Sequence, residues 1–169
     1  MAAFDDQARR LEAAVGAIRA RGDRLERAGP WPLAELYGTE AEARWGPPEV
    51  LAHVDEMLRF WLGEVERILA ADPSGEPVLF GRIADDPLRI GIIGRDRQLP
   101  VRELLGRVAT DGARVVARMR KLTAGEADRS GTHQTRGPFT VTALFERFVV
   151  THIEEHVAQL DDILAVAGS

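Results

Sequence analysis

Residues 140–167 read TVTALFERFVVTHIEEHVAQLDDILAVA. On a helical wheel at about 100° per residue, Val141, Phe145, Phe148, Val149 and Ile163 form one apolar stripe. Glu146, Arg147, Glu154, Glu155, Asp161 and Asp162 collect on the opposite side. The spacing predicts a long amphipathic helix, with Thr140 as its N-cap and Gly168 near its end. His152 and His156 fall on the apolar stripe and therefore point into a core rather than to water. A helix of this length with one buried face needs partners of the same kind.

Three further stretches supply them. FDDQARRLEAAVGAIRARGDRLERA (4–28) places Phe4, Leu11, Val15, Ile18 and Leu25 on one stripe, and GPWP then ends it. PPEVLAHVDEMLRFWLGEVERILAA (47–71) begins on two prolines suited to a first turn. Val50, Val54, Met57, Leu58, Trp61, Val65, Ile68 and Leu69 follow at three- and four-residue intervals. PVRELLGRVATDGARVVARMRKL (100–122) carries Val101, Leu104, Leu105, Val108, Val115, Val116 and Met119, with Gly106 and Gly112 weakening it slightly. No strand pattern stands out; EPVLFGRI (76–83) comes nearest and is short. The expected fold is therefore all-α: a four-helix bundle forming one domain over residues 1–169.

The connection from Asp72 to Leu99 is long for a compact domain. Asp86 can cap a short helix there, Pro87 fits its first turn, and Gly94 can end it. A crossover of that length lets helices two and three run in the same direction. Arg82, Arg89, Arg95 and Arg97 lie on it. They belong either to a solvated surface connection or to a lid on which Arg82 or Arg89 holds an anionic ligand.

Composition narrows the function classes. The formal net charge is −5, with no Lys/Arg-rich run, which argues against nucleic acid and anionic membrane surfaces as partners. No apolar run approaches the ~20 residues of a membrane span, and the acidic N-terminal MAAFDDQARR does not read as a signal peptide. A cytoplasmic location is expected. The chain has no cysteine, which removes disulfides, thiolate metal sites and a cysteine nucleophile.

Four histidines remain to consider. At i and i+4 the β-carbons of His152 and His156 lie about 6 Å apart, so their imidazoles can share one ion. Two buried histidines can equally be hydrogen-bonded core residues, and that alternative stays open here. A metal needs a third ligand. His53, at the edge of the second helix's apolar stripe, suits the role; His133, in SGTHQTRGP, reads as a solvated loop histidine. HIEEH also matches the H-x-x-E-H protease signature, but only thirteen residues of the same helix follow His156, so no downstream acidic ligand is available.

RWGPPEVLAHVDEM (44–57) resembles the W-x-x-x-E-V-L-A-H segment of the DinB/YfiT-like metalloproteins. GPFTVTALFERFVVTHIEEHVAQL (137–160) resembles their last helix, with its G-P-x-T entry and H-x-x-x-H-x-x-Q core. The resemblance implies a four-helix bundle holding one divalent ion, zinc or nickel, on His53, His152 and His156. Gln159 matches the family glutamine one turn further on. The mycothiol-dependent maleylpyruvate isomerases are also similar, but commonly carry glutamate where this chain has His152.

Members with an assigned activity tend to use mycothiol or bacillithiol. The resemblance thus implies an S-transferase whose metal-bound thiolate attacks a small electrophile, against a wall drawn from Trp45, Met57, Phe60 and Phe148. A chain without cysteine must import its sulfur, and a metal favours the thiolate. Two alternatives stand beside it. One is a hydrolase using metal-activated water, with Glu49 or Glu56 as base unless both are surface acids. The other is a non-catalytic metal-binding bundle. Family habit also implies a homodimer.

Overall fold

A computed structural model describes residues 2–168. Helix α1 (Ala2–Ala20) is followed by α2 (Gly22–Ala28), a 3-10 turn (Ala41–Arg44) and the long α3 (Pro47–Ala70). Strand β1 (Val78–Phe80) and helix α4 (Pro87–Asp96) occupy the connection to α5 (Val101–Met119). The short α6 (Ala124–Ala127) leads into the hairpin β2 (Ser130–His133) and β3 (Gly137–Thr140). The last helical run comprises α7 (Val141–Phe145), a π-helical turn (Glu146–Val150) and α8 (Thr151–Ala167).

Four long helical runs make the bundle, with α1 and α3 each packed against both α5 and α8. Cross-helix pairs fix their directions. Arg59 faces Asp111 at 3.6 Å and Glu66 faces Arg118 at 2.6 Å, so α3 and α5 advance together. Arg10 meets Glu154 and Arg21 meets Asp161, so α1 and α8 are also parallel. Glu12 meets Arg120, whereas Val15 lies against Gly112, which makes α1 and α5 antiparallel. The parallel α3 and α5 are what the long crossover permits. At Gly112 a Cβ would sit 2.6 Å from a Val15 methyl, so this glycine sets how closely α1 and α5 approach.

Several expectations need correction. The fold is not purely α: β1 pairs parallel with β2, and β2 pairs antiparallel with β3. These strands have three or four residues each, too few for an alternation to show. The first helix breaks at Arg21, whose guanidinium turns back to the Ala17 carbonyl and across to Asp161. Asp86 does cap α4 through the Arg89 N–H, but the helix passes Gly94 and ends at Asp96. Thr140 caps α7 as expected, through the Ala143 N–H.

The last helix departs most from the wheel. The Thr151 N–H bonds to the Glu146 carbonyl, five residues back, giving one wide turn. Glu146 is thereby aimed at Gln7 and Arg10 of α1, and Phe148 lies against Trp61 of α3. No helix is long and apolar enough to cross a membrane.

Candidate metal centre

His53 sits two turns into α3, and His152 and His156 lie in the first turns of α8. All three Nε2 atoms converge. The His53–His152 separation is 2.9 Å and the His152–His156 separation is 3.1 Å. A fourth group, missed in the sequence, completes the cluster: Glu42 Oε1 lies 3.4, 3.1 and 3.2 Å from the Nε2 atoms of His53, His152 and His156. Ligands about 2.0–2.1 Å from a tetrahedral zinc are separated by about 3.3 Å, so this donor set fits one divalent ion. Neutral nitrogens and a carboxylate crowded at these distances share few protons among them, and a cation resolves the lone-pair repulsion.

The remaining ring atoms show how the nitrogens are presented. Gln159 Nε2 donates to the Glu42 carbonyl at 2.9 Å, which leaves its Oε1 facing His156 Nδ1, also at 2.9 Å. His156 Nδ1 must then carry the proton, and its Nε2 lone pair points into the site. His152 Nδ1 faces Glu155 Oε2 at 3.6 Å. His53 is 97 % buried by area, against the edge of the Trp45 ring, and burial pushes its pKa well below the ordinary imidazole range. It is therefore neutral, as a metal ligand must be. Burial alone would raise the Glu42 carboxyl, but its close contacts with the three imidazoles outweigh that and lower it.

Glu42 is carried by the 3-10 turn and anchored by Arg89, whose Nη2 lies 2.8 Å from Oε2. Arg82 clasps Glu56 with both nitrogens, at 2.5 and 2.6 Å, and lies over the Phe60 ring. Both crossover arginines thus border the site while already engaged with carboxylates. Glu49 and Glu56 are not surface acids. Glu49 is fully buried, accepting from the Ala34 and Gly46 N–H groups and from Arg97, and Glu56 is 97 % buried beneath Arg82. Neither is free to act as a base.

A cavity of about 320 Å³ opens beside the imidazoles, and His53, His152 and Phe148 line it. The wall differs from expectation. Trp45 packs behind His53, Met57 is a core residue, and Phe60 lies beneath Arg82; Trp61 and His133 face the cavity instead. His133 is not a solvated loop histidine. It ends β2, is 97 % buried, and stacks on Phe148 at 5.2 Å with 9° between the planes. Gly81, at φ +84°, makes room for it: a Cβ there would fall 2.4 Å from His133 Nε2.

The DinB superfamily model matches residues 2–160. The chain belongs to the DinB superfamily. Among solved structures, YfiT from Bacillus subtilis superposes with a TM-score of 0.58 at 16 % identity, covering 94 % of this chain and 87 % of that one. YfiT is described as a probable metal-dependent hydrolase with an unusual four-helix bundle topology. At this identity the likeness carries the fold. No curated protein sequence matches the chain.

In this DinB-superfamily protein the three histidines named from the resemblance meet at one point, and Glu42 joins them. Glu42 left a faint signal. It lies eleven residues before His53 in the polar stretch GTEAEARWG, where nothing in the sequence separates it from Glu40.

Proposed function

We propose that this protein is a metal-dependent S-transferase that joins a low-molecular-weight thiol to a small electrophile. The observation that carries the reading is the convergence of His53, His152 and His156 beside a cavity that the first two line, in a chain without cysteine. His53, His152, His156 and Glu42 would hold one divalent ion, and this nitrogen-and-oxygen set suits zinc or nickel. When bound, the ion supplies Lewis acidity, favouring the deprotonated form of a thiol brought into the site.

The chain's residues do the rest. Arg89 fixes the Glu42 carboxylate beside the imidazoles, where it would serve as a ligand and not as a base, and the thiol proton leaves through the open cavity to water. Phe148 and Trp61 hold the electrophile against an apolar wall and exclude water from its reacting carbon. The sulfur–carbon bond forms as the bond to the leaving group, or the π bond of an unsaturated acceptor, breaks.

A hydrolase is the second reading, and the likeness to YfiT, described as a probable metal-dependent hydrolase, is the observation that favours it. The ion would then activate water in place of a thiol. Against it, the two acids named as candidate bases, Glu49 and Glu56, are locked into buried pairs.

The test uses tag-free protein loaded with zinc or nickel. It is incubated with mycothiol or bacillithiol and a panel of electrophiles, and separately with esters and amides. Conjugation that disappears in His152→Ala supports the transferase. Thiol-independent turnover moves the assignment to the hydrolase, and inactivity in both panels with metal tightly bound leaves a binding protein.

A further inference from the structure

The cavity beside the imidazoles has a second wall that metal binding does not use. Phe148 is the middle of a set of near-parallel rings, 4.5 Å from Trp61 and 5.2 Å from His133. His133 Nδ1 accepts from the Thr135 N–H at 3.2 Å, so in the neutral ring the proton sits on Nε2. That Nε2–H has no partner among the described residues, although the side chain is 97 % buried and lines the cavity. The ring edge that carries it opens onto the cavity, where a ligand oxygen can accept from it.

Positive charge gathers at the same wall. Arg136, in the β2–β3 turn, lies with its Cζ 6.0 Å from the Phe148 ring centre. Arg147 reaches the cavity from the π-helical turn. Neither forms an ion pair among the described residues, and both are exposed at the mouth. The contrast with Arg82 and Arg89 is chemical: those two already hold Glu56 and Glu42. Two unneutralised guanidinium groups and one neutral N–H donor, set beside stacked rings, form a recognition surface for a carboxylate on a flat, conjugated body.

We propose that the electrophile is a small conjugated or aromatic carboxylic acid, its carboxylate held by Arg136, Arg147 and His133 Nε2–H and its body set against the edges of the Phe148 and Trp61 rings that line the cavity. This deepens the transferase reading and rests on it for the role of the site. The binding test does not need that reading to hold. His53 and His152 line the same cavity, so the acid's reactive carbon can be presented toward them.

The probes are trans-cinnamate and its uncharged isostere cinnamamide, titrated calorimetrically into zinc-loaded and chelator-treated protein. Cinnamate is expected to bind at least tenfold more tightly than the amide in both forms. Arg136→Met/Arg147→Met should weaken cinnamate at least tenfold and leave the amide within twofold, with zinc content unchanged. His133→Phe keeps the ring stack and removes the donor, and should weaken cinnamate about threefold or more. His152→Ala, which disrupts the metal centre, should keep the preference for the acid, so that failure of the metal reading and failure of this one give different patterns. Equal affinity for acid and amide overturns the proposal. So does cinnamate binding that survives the double substitution, or binding that vanishes on chelation, since the carboxylate would then be seeking the ion.

Discussion

Gln159 decides which nitrogen of His156 carries the proton. Its amide N–H is committed to the Glu42 carbonyl, so its oxygen faces His156 Nδ1 at 2.9 Å and the Nε2 lone pair is left for a metal. The same side chain ties α8 to the turn that bears Glu42, and so acts on two members of the cluster. Gln159→Leu keeps the volume and removes both contacts. The expected result is a 10- to 100-fold loss of zinc or nickel affinity, the range typical of a group that orients a ligand, with little change in helical content. Competition titration against a chromophoric chelator measures it, and unchanged affinity would show that the contact orients nothing.

The ligands come from α3, α8 and the 3-10 turn, so a bound ion ties together segments that the unfolded chain holds apart. Binding that is confined to the folded state stabilises it by about 2.7 kcal/mol at a free concentration one hundred times Kd. Thermal unfolding of tag-free protein should therefore shift upward with zinc or nickel and return with chelator. His53→Ala and His156→Ala should each abolish most of the shift. Retention of the full shift in both variants would place the ion elsewhere.

Asp55 gives a pH dependence of its own, away from the metal cluster. The side chain is 1 % exposed, and its pKa is raised to about 6, first by burial and then by its hydrogen bond with Asp111; Arg59 opposes the rise. The ordinary value is 3.8. Between about pH 4 and 6 Asp55 therefore binds more protons in the folded protein than in the unfolded chain, and its contribution to stability falls as pH rises through that window. Full stabilisation from this group is present below the lower value and is lost above the upper one. Asp55→Asn should flatten the slope and raise stability at pH 7 by about 1–2 kcal/mol, after allowance for the weakened Arg59 contact. Urea unfolding of both proteins at pH 4, 5, 6 and 7 checks the sign, and a stability difference that shifts in favour of the wild type over Asp55→Asn from pH 4 to 6 would contradict it.

The helical bundle was legible because period is a strong signal in long segments. Leu11, Ile18, Met57 and Leu104 are all fully buried on the stripes that the periodicity names. His53, His152 and His156 were found by combining that pattern with two family-like segments. What escaped has local physical causes. Glu42 sits in a loop held by tertiary contacts, and no period points at it. His133 belongs to a strand of four residues, stabilised by partners some fifty residues upstream in β1. Arg147 reaches the cavity because the π-helical turn breaks the 100° step that put it on the acidic face. Glu49 and Glu56 looked like surface acids because a single sequence does not show that Arg97 and Arg82 lie over them.

Glu49 ties the loop that carries Glu42 to the start of α3. Its carboxylate is fully buried; Oε1 accepts from the Ala34 N–H at 3.0 Å and from Arg97 at 3.1 Å, and Oε2 accepts from the Gly46 N–H at 3.1 Å. Arg97 also donates to the Ala34 carbonyl. Glu49→Ala leaves two N–H groups without acceptors and a mostly buried guanidinium without its counter-charge, a change that typically costs about 3–5 kcal/mol. Glu49→Gln keeps the shape and one acceptor, so a loss of roughly half that size is expected. Because Ala34 and Gly46 bracket the Glu42 turn, the Gln variant should also be cleaved faster by protease between them while α3 and α8 stay protected. Urea unfolding and limited proteolysis read these two effects separately. Wild-type stability in Glu49→Ala would show that the buried carboxylate does not hold the loop.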